Sequence, residues 1–292
     1  MLSYTIKRIR IDVTLGEGTF DGTNNTKSFS GLEMSVNIEK PGAPDKNKAK
    51  VTITGMALDD MRQMTMLAFK PLQRQKNLIA IYAGDDQTGM NMCFAGEITT
   101  ASADFSGAPT IKMNIEAAAG AYPALKASSP VAVNGTQTAA ELVEMFAKEA
   151  GYAFENKGVT ASVKNAVFNG DPITKAQSVA RQVGAELIID DNTFVLLPWD
   201  KGRSGDNAVK MSPDAGMVGY PSFGADGISL KCFYNPALEL GGLVEVTSVV
   251  PGASGTWKIT KLTHKLVANS KSAADWFSEL EASPIGYEKK KA

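Results

Sequence analysis

The sequence predicts a mainly β protein with an α+β element, in which two β-barrel domains bracket a small α+β module. Three observations carry this. Up to about Ala119, apolar residues recur at every second position, the period of a strand with one buried face. Between about Val131 and Asp200 the period lengthens to that of amphipathic helices. Beyond that, short β-type runs return, separated by glycine and proline turns, as in a small barrel or sandwich. The domains are drawn at 1–120, 121–200 and 201–292.

In the first domain, Met1 to Val13 alternates apolar and charged residues and lacks the basic-then-apolar pattern of a signal peptide. Leu32, Met34, Val36 and Ile38 alternate with Glu33, Ser35, Asn37 and Glu39. A polar loop from Lys40 to Lys48, containing Pro41-Gly42 and Pro44, leads to Val51 and Ile53, which resume the pattern. Further strands are predicted over 77–83, 92–100 and 110–116. One helix interrupts them, over 57–68. Leu58, Met61, Met64, Leu67 and Ala68 form its apolar stripe, with Pro71 beyond its end. The stripe is expected to pack on its own barrel.

In the middle module, Thr138-Ala139-Ala140-Glu141 is a capping box opening a helix that buries Leu142, Val143, Phe146 and Ala150 and stops at Gly151. Asp171-Pro172 opens a second helix, which buries Ile173, Ala176, Val179, Ala180 and Val183 and stops at Gly184. A hairpin follows, turning at Asp191-Asn192. Helix, glycine and strand thus occur twice. Asp200 to Asp206 has linker composition, and the tail Glu288 to Lys291 is read as a solvated end.

Composition excludes several function classes. Thirty basic residues stand against 31 acidic ones in 292, a net charge of -1, so no bulk field draws nucleic acid or an anionic membrane. Cys93 and Cys232 lie far apart in apolar strand contexts and read as small buried side chains in a reducing compartment. No apolar run is long enough to span a bilayer.

The residues also offer little chemistry. His264 is the only histidine, and it shares a strand face with Leu262 and Leu266, where packing is its natural role. A zinc hydrolase would need further ligands near it. Asp59-Asp60 sits at a helix start, where the dipole favours acids. Asp85-Asp86 and Asp190-Asp191 sit in turns, which aspartate readily forms. Gly16-Glu17-Gly18 and Gly216-Met217-Val218-Gly219 lack the strand-to-helix setting of a phosphate cradle. No catalytic, cofactor-binding or metal-binding residue is assigned, and no cofactor is expected.

One C-terminal series is more specific. It runs Gly216-Met217-Val218-Gly219-Tyr220-Pro221, Asp226-Gly227-Ile228, Asn235-Pro236, Gly241 to Val246, and Gly255 to Leu266. In order and spacing it resembles the C-terminal barrel of baseplate hub proteins from contractile-tailed bacteriophages. The middle module is similar to the small α+β domain of those proteins, and Phe94-Ala95-Gly96-Glu97-Ile98 to a strand of tail-tube-like barrels. Physically, Gly219 and Pro221 shape a sharp turn, Gly241-Gly242 permits positive φ, and Trp257 buries a large area.

The resemblance implies a structural protein and not an enzyme. It implies a homotrimer in which two tube-like barrels per chain make a ring of six. Such a ring would match the six-fold tail tube to the three-fold central spike around a channel. The implied partners are tail tube, central spike, tape-measure and other baseplate proteins, with DNA only in passage and no membrane insertion. The implied place is the virion baseplate, after assembly in the host bacterial cytoplasm. The hydrophilic face of Leu32 to Glu39 is a candidate channel lining. A hexameric tail tube, initiator or terminator protein is the alternative, and a cell-wall-binding or lytic tail-tip module a further one.

Overall fold

The computed structural model describes residues 5–42, 45–68, 77–87, 89–120, 128–205, 207–271 and 275–286, the side chains of 66–68 excepted. Pro44, the side chains of Leu67 and Ala68, Pro71, Asp206 and the tail from Glu288 lie outside the described residues. The protein is mainly β, with antiparallel pairing dominant.

The chain opens with β1 (Lys7–Thr14), β2 (Thr26–Ser30), β3 (Glu33–Lys40) and β4 (Lys48–Thr54), followed by α1 (Leu58–Ala68), β5 (Leu78–Asp85), β6 (Gly89–Asp104) and β7 (Lys112–Ala118). Strict alternation turns Ile9, Ile11, Val13, Met34, Val36, Ile38, Val51, Ile53, Ile79, Ile81, Met113 and Ile115 into one core. The sixteen-residue β6 carries register shifts opposite Ile81/Tyr82 and at Ile98/Thr100, which let a long strand bend. Phe94 fits beside Gly96 because a Cβ there would lie 2.8 Å from the Phe94 ring and 3.0 Å from the Ala118 backbone. In α1, Met61 and Met64 are buried as expected, but Leu58 is exposed. Asp60 is buried too, held by the Lys27 ammonium at 2.6 Å; the helix dipole is only part of its role.

The next stretch holds β8 (Val131–Ala132), β9 (Thr136–Thr138), α2 (Ala139–Ala150), β10 (Ala153–Asn156), β11 (Ser162–Lys164), β12 (Val167–Phe168), α3 (Pro172–Gln182), β13 (Ala185–Asp190) and β14 (Thr193–Pro198). The capping box forms: Glu141 N donates to Thr138 Oγ1, and Thr138 N donates to Glu141 Oε2. Gly151 stops α2 in the left-handed region at φ 81°. Asp171 caps α3 with Pro172 in its first turn. β10, β14 and β13 form a three-stranded sheet, β10 parallel to β14 and β13 antiparallel to it. Leu142, Phe146, Ala176, Val179 and Phe194 are packed without exposure. Lys175 is equally buried, bonded to Ser128 Oγ and, at 2.6 Å, to the Ser129 carbonyl. Its alkyl stem follows the apolar helix face, a burial that charge-based reading misses.

The remaining strands are β15 (Val209–Met211), β16 (Met217–Gly224), β17 (Gly227–Phe233), β18 (Leu243–Val246), β19 (Gly255–Ala268) and β20 (Trp276–Pro284). Their core contains Met211, Ile228, Leu230, Cys232, Val244, Ile259, Leu262 and Leu280, with Trp257 packed against it.

Two compact units emerge. The first takes Met1–Glu39, Lys48–Ala119 and His264–Phe277; the second takes Lys40–Asn47, Gly120–Thr263 and Ser278–Ala292. Within the first, strands run β19-β3-β4-β7-β6-β5-β1-β2, with β19 represented by its C-terminal end, His264–Ala268. Within the second, β16-β17-β20-β19 is one path, and β15 and β18 join it at β19. Where two barrels were expected, neither path closes among the described residues. Alternation reports which face a strand buries, but not whether the end strands of a sheet meet.

Candidate functional surfaces

The hydrophilic face expected to be functional, that of Leu32 to Glu39, lies on β3, and in the structure it continues across β4, β7 and the last third of β6. Register makes it a set of cross-strand rows. Asn37, Lys50, Glu116 and Thr100 form one row, with Lys50 Nζ 3.5 Å from Glu116 and Thr100 Oγ1 donating to Glu116 at 3.3 Å. Ser35, Thr52, Asn114 and Ser102 form the next, where Thr52 Oγ1 donates to Asn114 Oδ1 at 2.9 Å. Glu33, Thr54, Lys112 and Asp104 form a third, and Glu39 opposes Lys48. Four carboxylates thus meet three lysines, each lysine beside an acid. Opposite charges directly across a strand pair attract, and their far fields cancel. The surface is hydrophilic and nearly neutral.

A second constellation, within the second unit, was not foreseen. Asp190, at the end of β13, is buried and accepts bonds from three residues of two other segments. Lys40 Nζ reaches Oδ1 at 2.7 Å, Asn47 Nδ2 reaches the same oxygen at 3.0 Å, and the Arg203 guanidinium bonds Oδ2. Lys40 also lies 3.4 Å from Asp191, while Arg203 Nε lies 3.5 Å from Glu239 and 3.7 Å from Glu155. Burial works against the charge on Asp190, but Lys40 and Arg203 outweigh it and hold the carboxyl below its ordinary range. Burial likewise opposes the Lys40 charge, and Asp191 and Asp190 together hold that ammonium above the usual lysine range. Glu239 is pushed up by burial, with Arg203 only partly compensating. The turn reading of Asp190-Asp191 holds for Asp191, whose φ is 53°. Asp190 is instead a structural anion on which a loop, a hairpin and a supposed linker converge. No local signal in the sequence marked it: Arg203 is one of four charged residues in the 200–206 linker, with Asp200, Lys201 and Asp206.

The family model for baseplate hub gp41 matches residues 8–275. The chain belongs to the baseplate hub gp41 family. Solved structures share the fold at low identity. The tail protein from Neisseria meningitidis MC58 has a TM-score of 0.65 at 10% identity, covering 95% of this chain and 97% of that one. The 43 kDa tail protein of prophage MuSo2 from Shewanella oneidensis has 0.61 at 11%, covering 94% and 96%. The E. coli c3393 protein, a type VI secretion component described as structurally similar to T4 tail proteins gp27 and gp5, has 0.59 at 12%, covering 89% and 76%. No curated protein matches the chain in sequence. The protein is thus a structural component of the phage tail baseplate and, as such, virion-associated.

The residues of this hub chain singled out by sequence fall mostly into its frame. His264 is buried in β19, and Cys93 and Cys232 are buried thiols, with Cys232 pushed up to about 12 by burial. Gly216 (φ 90°) ends a short 3-10 turn at Pro213–Ala215, and Gly219 (φ 74°) lies where the β16–β17 register breaks. Gly241 (φ 77°) turns the chain ahead of β18, close against Ile188. Trp257 donates its indole N–H to the Ala253 carbonyl at 3.0 Å. Among the described residues, no group of three or more His, Cys, Asp or Glu could hold a metal ion, and no helix is long and apolar enough to cross a membrane.

Proposed function

We propose that this hub chain works as a homotrimeric adaptor between the six-fold tail tube and the three-fold central spike. Its parts would be two tube-like barrel domains, 1–120 and 201–292, and a module at 121–200. Three chains would then present six similar barrels around a channel, a symmetry match by internal duplication. Tube, spike and tape-measure proteins are the partners, DNA passes without being gripped, and assembly takes place in the host cytoplasm. The role is mechanical, without catalysis.

The observation that carries the reading is the charge-compensated face of β3, β4, β7 and β6, assigned to the channel wall. A wall that passes a polyanion has to neither hold nor repel it over a long contact, and paired lysines and acids achieve that. Native mass at concentrations near those of assembly tests the architecture. A trimer is expected, whereas a hexamer would shift the reading to a tube or tube-terminator protein.

The face itself has a separate test. Glu33→Lys with Glu39→Lys changes its balance from three lysines and four acids to five and two. The double variant is expected to retard duplex DNA in a gel at low salt and lose that grip steeply as salt rises. The native protein is expected not to retard it. Native protein that already binds duplex tightly would overturn the lining assignment.

A further inference from the structure

The second unit has a groove to which the adaptor reading above assigns no task. It measures about 330 Å³ and lies on the outward face of β16, β17, β20 and β19, at the small end of the range for ligand sites. Alternation brings Ser222, Ser229, Lys231, Lys261, Glu279 and Glu281 to this one face. Ser222 and Ser229 hydroxyls lie 2.8 Å apart, and Lys261 Nζ donates to Glu281 Oε1 at 3.0 Å. Two lysines against two glutamates leave no net field to attract a polyanion or a polycation. What the groove offers is closely spaced donors and acceptors.

Tyr220 stands over the edge of this groove and is 67% exposed. It sits where β16 loses register with β17, between Gly219 at φ 74° and Pro221. Such bulges re-aim a side chain, and the left-handed glycine with the fixed proline φ limits how far the tyrosine can move. The result is a flat aromatic face standing beside hydroxyls and balanced charges. Sugars have the matching chemistry: an apolar C–H face that stacks on a ring, and an edge of hydroxyls that both donate and accept.

We propose that this groove binds a short neutral glycan, with Tyr220 stacked on one sugar and the Ser222/Ser229 and Lys261/Glu281 pairs bonding its hydroxyls. The site needs only the second unit, so it stands or falls separately from the trimer and channel reading. Saturation-transfer NMR on the full chain with tri-N-acetylchitotriose and with maltotriose tests it. Transfer to the sugar-ring protons of at least one is expected. Tyr220→Ala should weaken it at least tenfold with far-UV circular dichroism unchanged, and Tyr220→Phe should retain it. No transfer from either trisaccharide would overturn the proposal, as would transfer indifferent to Tyr220→Ala. Displacement of the sugar by a tighter-binding peptide of alternating Lys and Glu would also overturn it, in favour of a polypeptide strand.

Discussion

Asp190→Ala is expected to lower the free energy of unfolding by about 3–5 kcal/mol, the range for breaking a buried ion pair from one side. The reason is what remains behind. Lys40 would keep a buried ammonium beside Asp191 at 3.4 Å, its one remaining carboxylate among the described residues, and Arg203 would lose its closest partner. Urea denaturation measures it. Adding Lys40→Met should recover part of the loss, because the orphaned charge then leaves with its partner, and a double variant that is merely additive would show that the two residues are not coupled.

The pH dependence of the same cluster has a worked sign. Asp190 has a folded-state value below its unfolded one, so its stabilisation is complete above the unfolded carboxylate range, about pH 4, and is lost as pH falls through the folded value. Glu239 is shifted the other way: its favourable contribution belongs to the protonated form and is lost as pH rises through its raised value. Asp190→Asn should therefore flatten the acid limb of a stability-versus-pH curve. Glu239→Gln should leave that limb and gain stability on the neutral side.

The second large effect is expected at Gly227, within the Asp226-Gly227-Ile228 segment. Its φ is 151°, and a Cβ there would lie 2.1 Å from the Ala282 carbonyl oxygen and 2.9 Å from the Ser283 Cα. Both obstacles are backbone of β20, which cannot swing aside as a side chain could. Gly227→Ala should cost about 2–6 kcal/mol, combining backbone strain with overpacking. A thermal melt measures it, with Gly224→Ala as the control because nothing lies within 4 Å of a Cβ there. Equal midpoints for the two variants would show that β17 and β20 do not pack this closely.

Much of the fold was legible in the residues because local rules wrote it. The alternation of Met34, Val36 and Ile38 against Glu33, Ser35 and Asn37 appears as β3 with the faces assigned as read. Thr138, Glu141 and Gly151 close α2 through bonds between neighbours in sequence, and Asp171-Pro172 opens α3 in the same way. The polar face could be read strand by strand. Its neutrality could not, because that depends on Lys50 meeting Glu116, and register is a non-local property.

Asp190 marks the other limit. An aspartate before a turn is explained by the turn, so nothing local hints that Lys40, 150 positions away, will bond it. Lys175 marks the same limit: its burial depends on the Ser128 hydroxyl and Ser129 carbonyl, supplied by a segment more than 40 positions away.

By itself, then, the sequence determined the mainly β class, the helical module, the caps and turns, the buried face of most strands, and the hub resemblance that the family match bears out. Those are consequences of period and of contacts a few residues long. Only the tertiary structure decided that His264–Phe277 joins the first unit while Lys40–Asn47 joins the second, and that five separate segments share one buried charge cluster. It also decided that an uncharged strand carrying Tyr220 ends beside a balanced polar groove. Strand register, chain crossing and burial of charge depend on which distant segments pack together, and the free energy of that choice is spread over the whole core and not stored in any local motif.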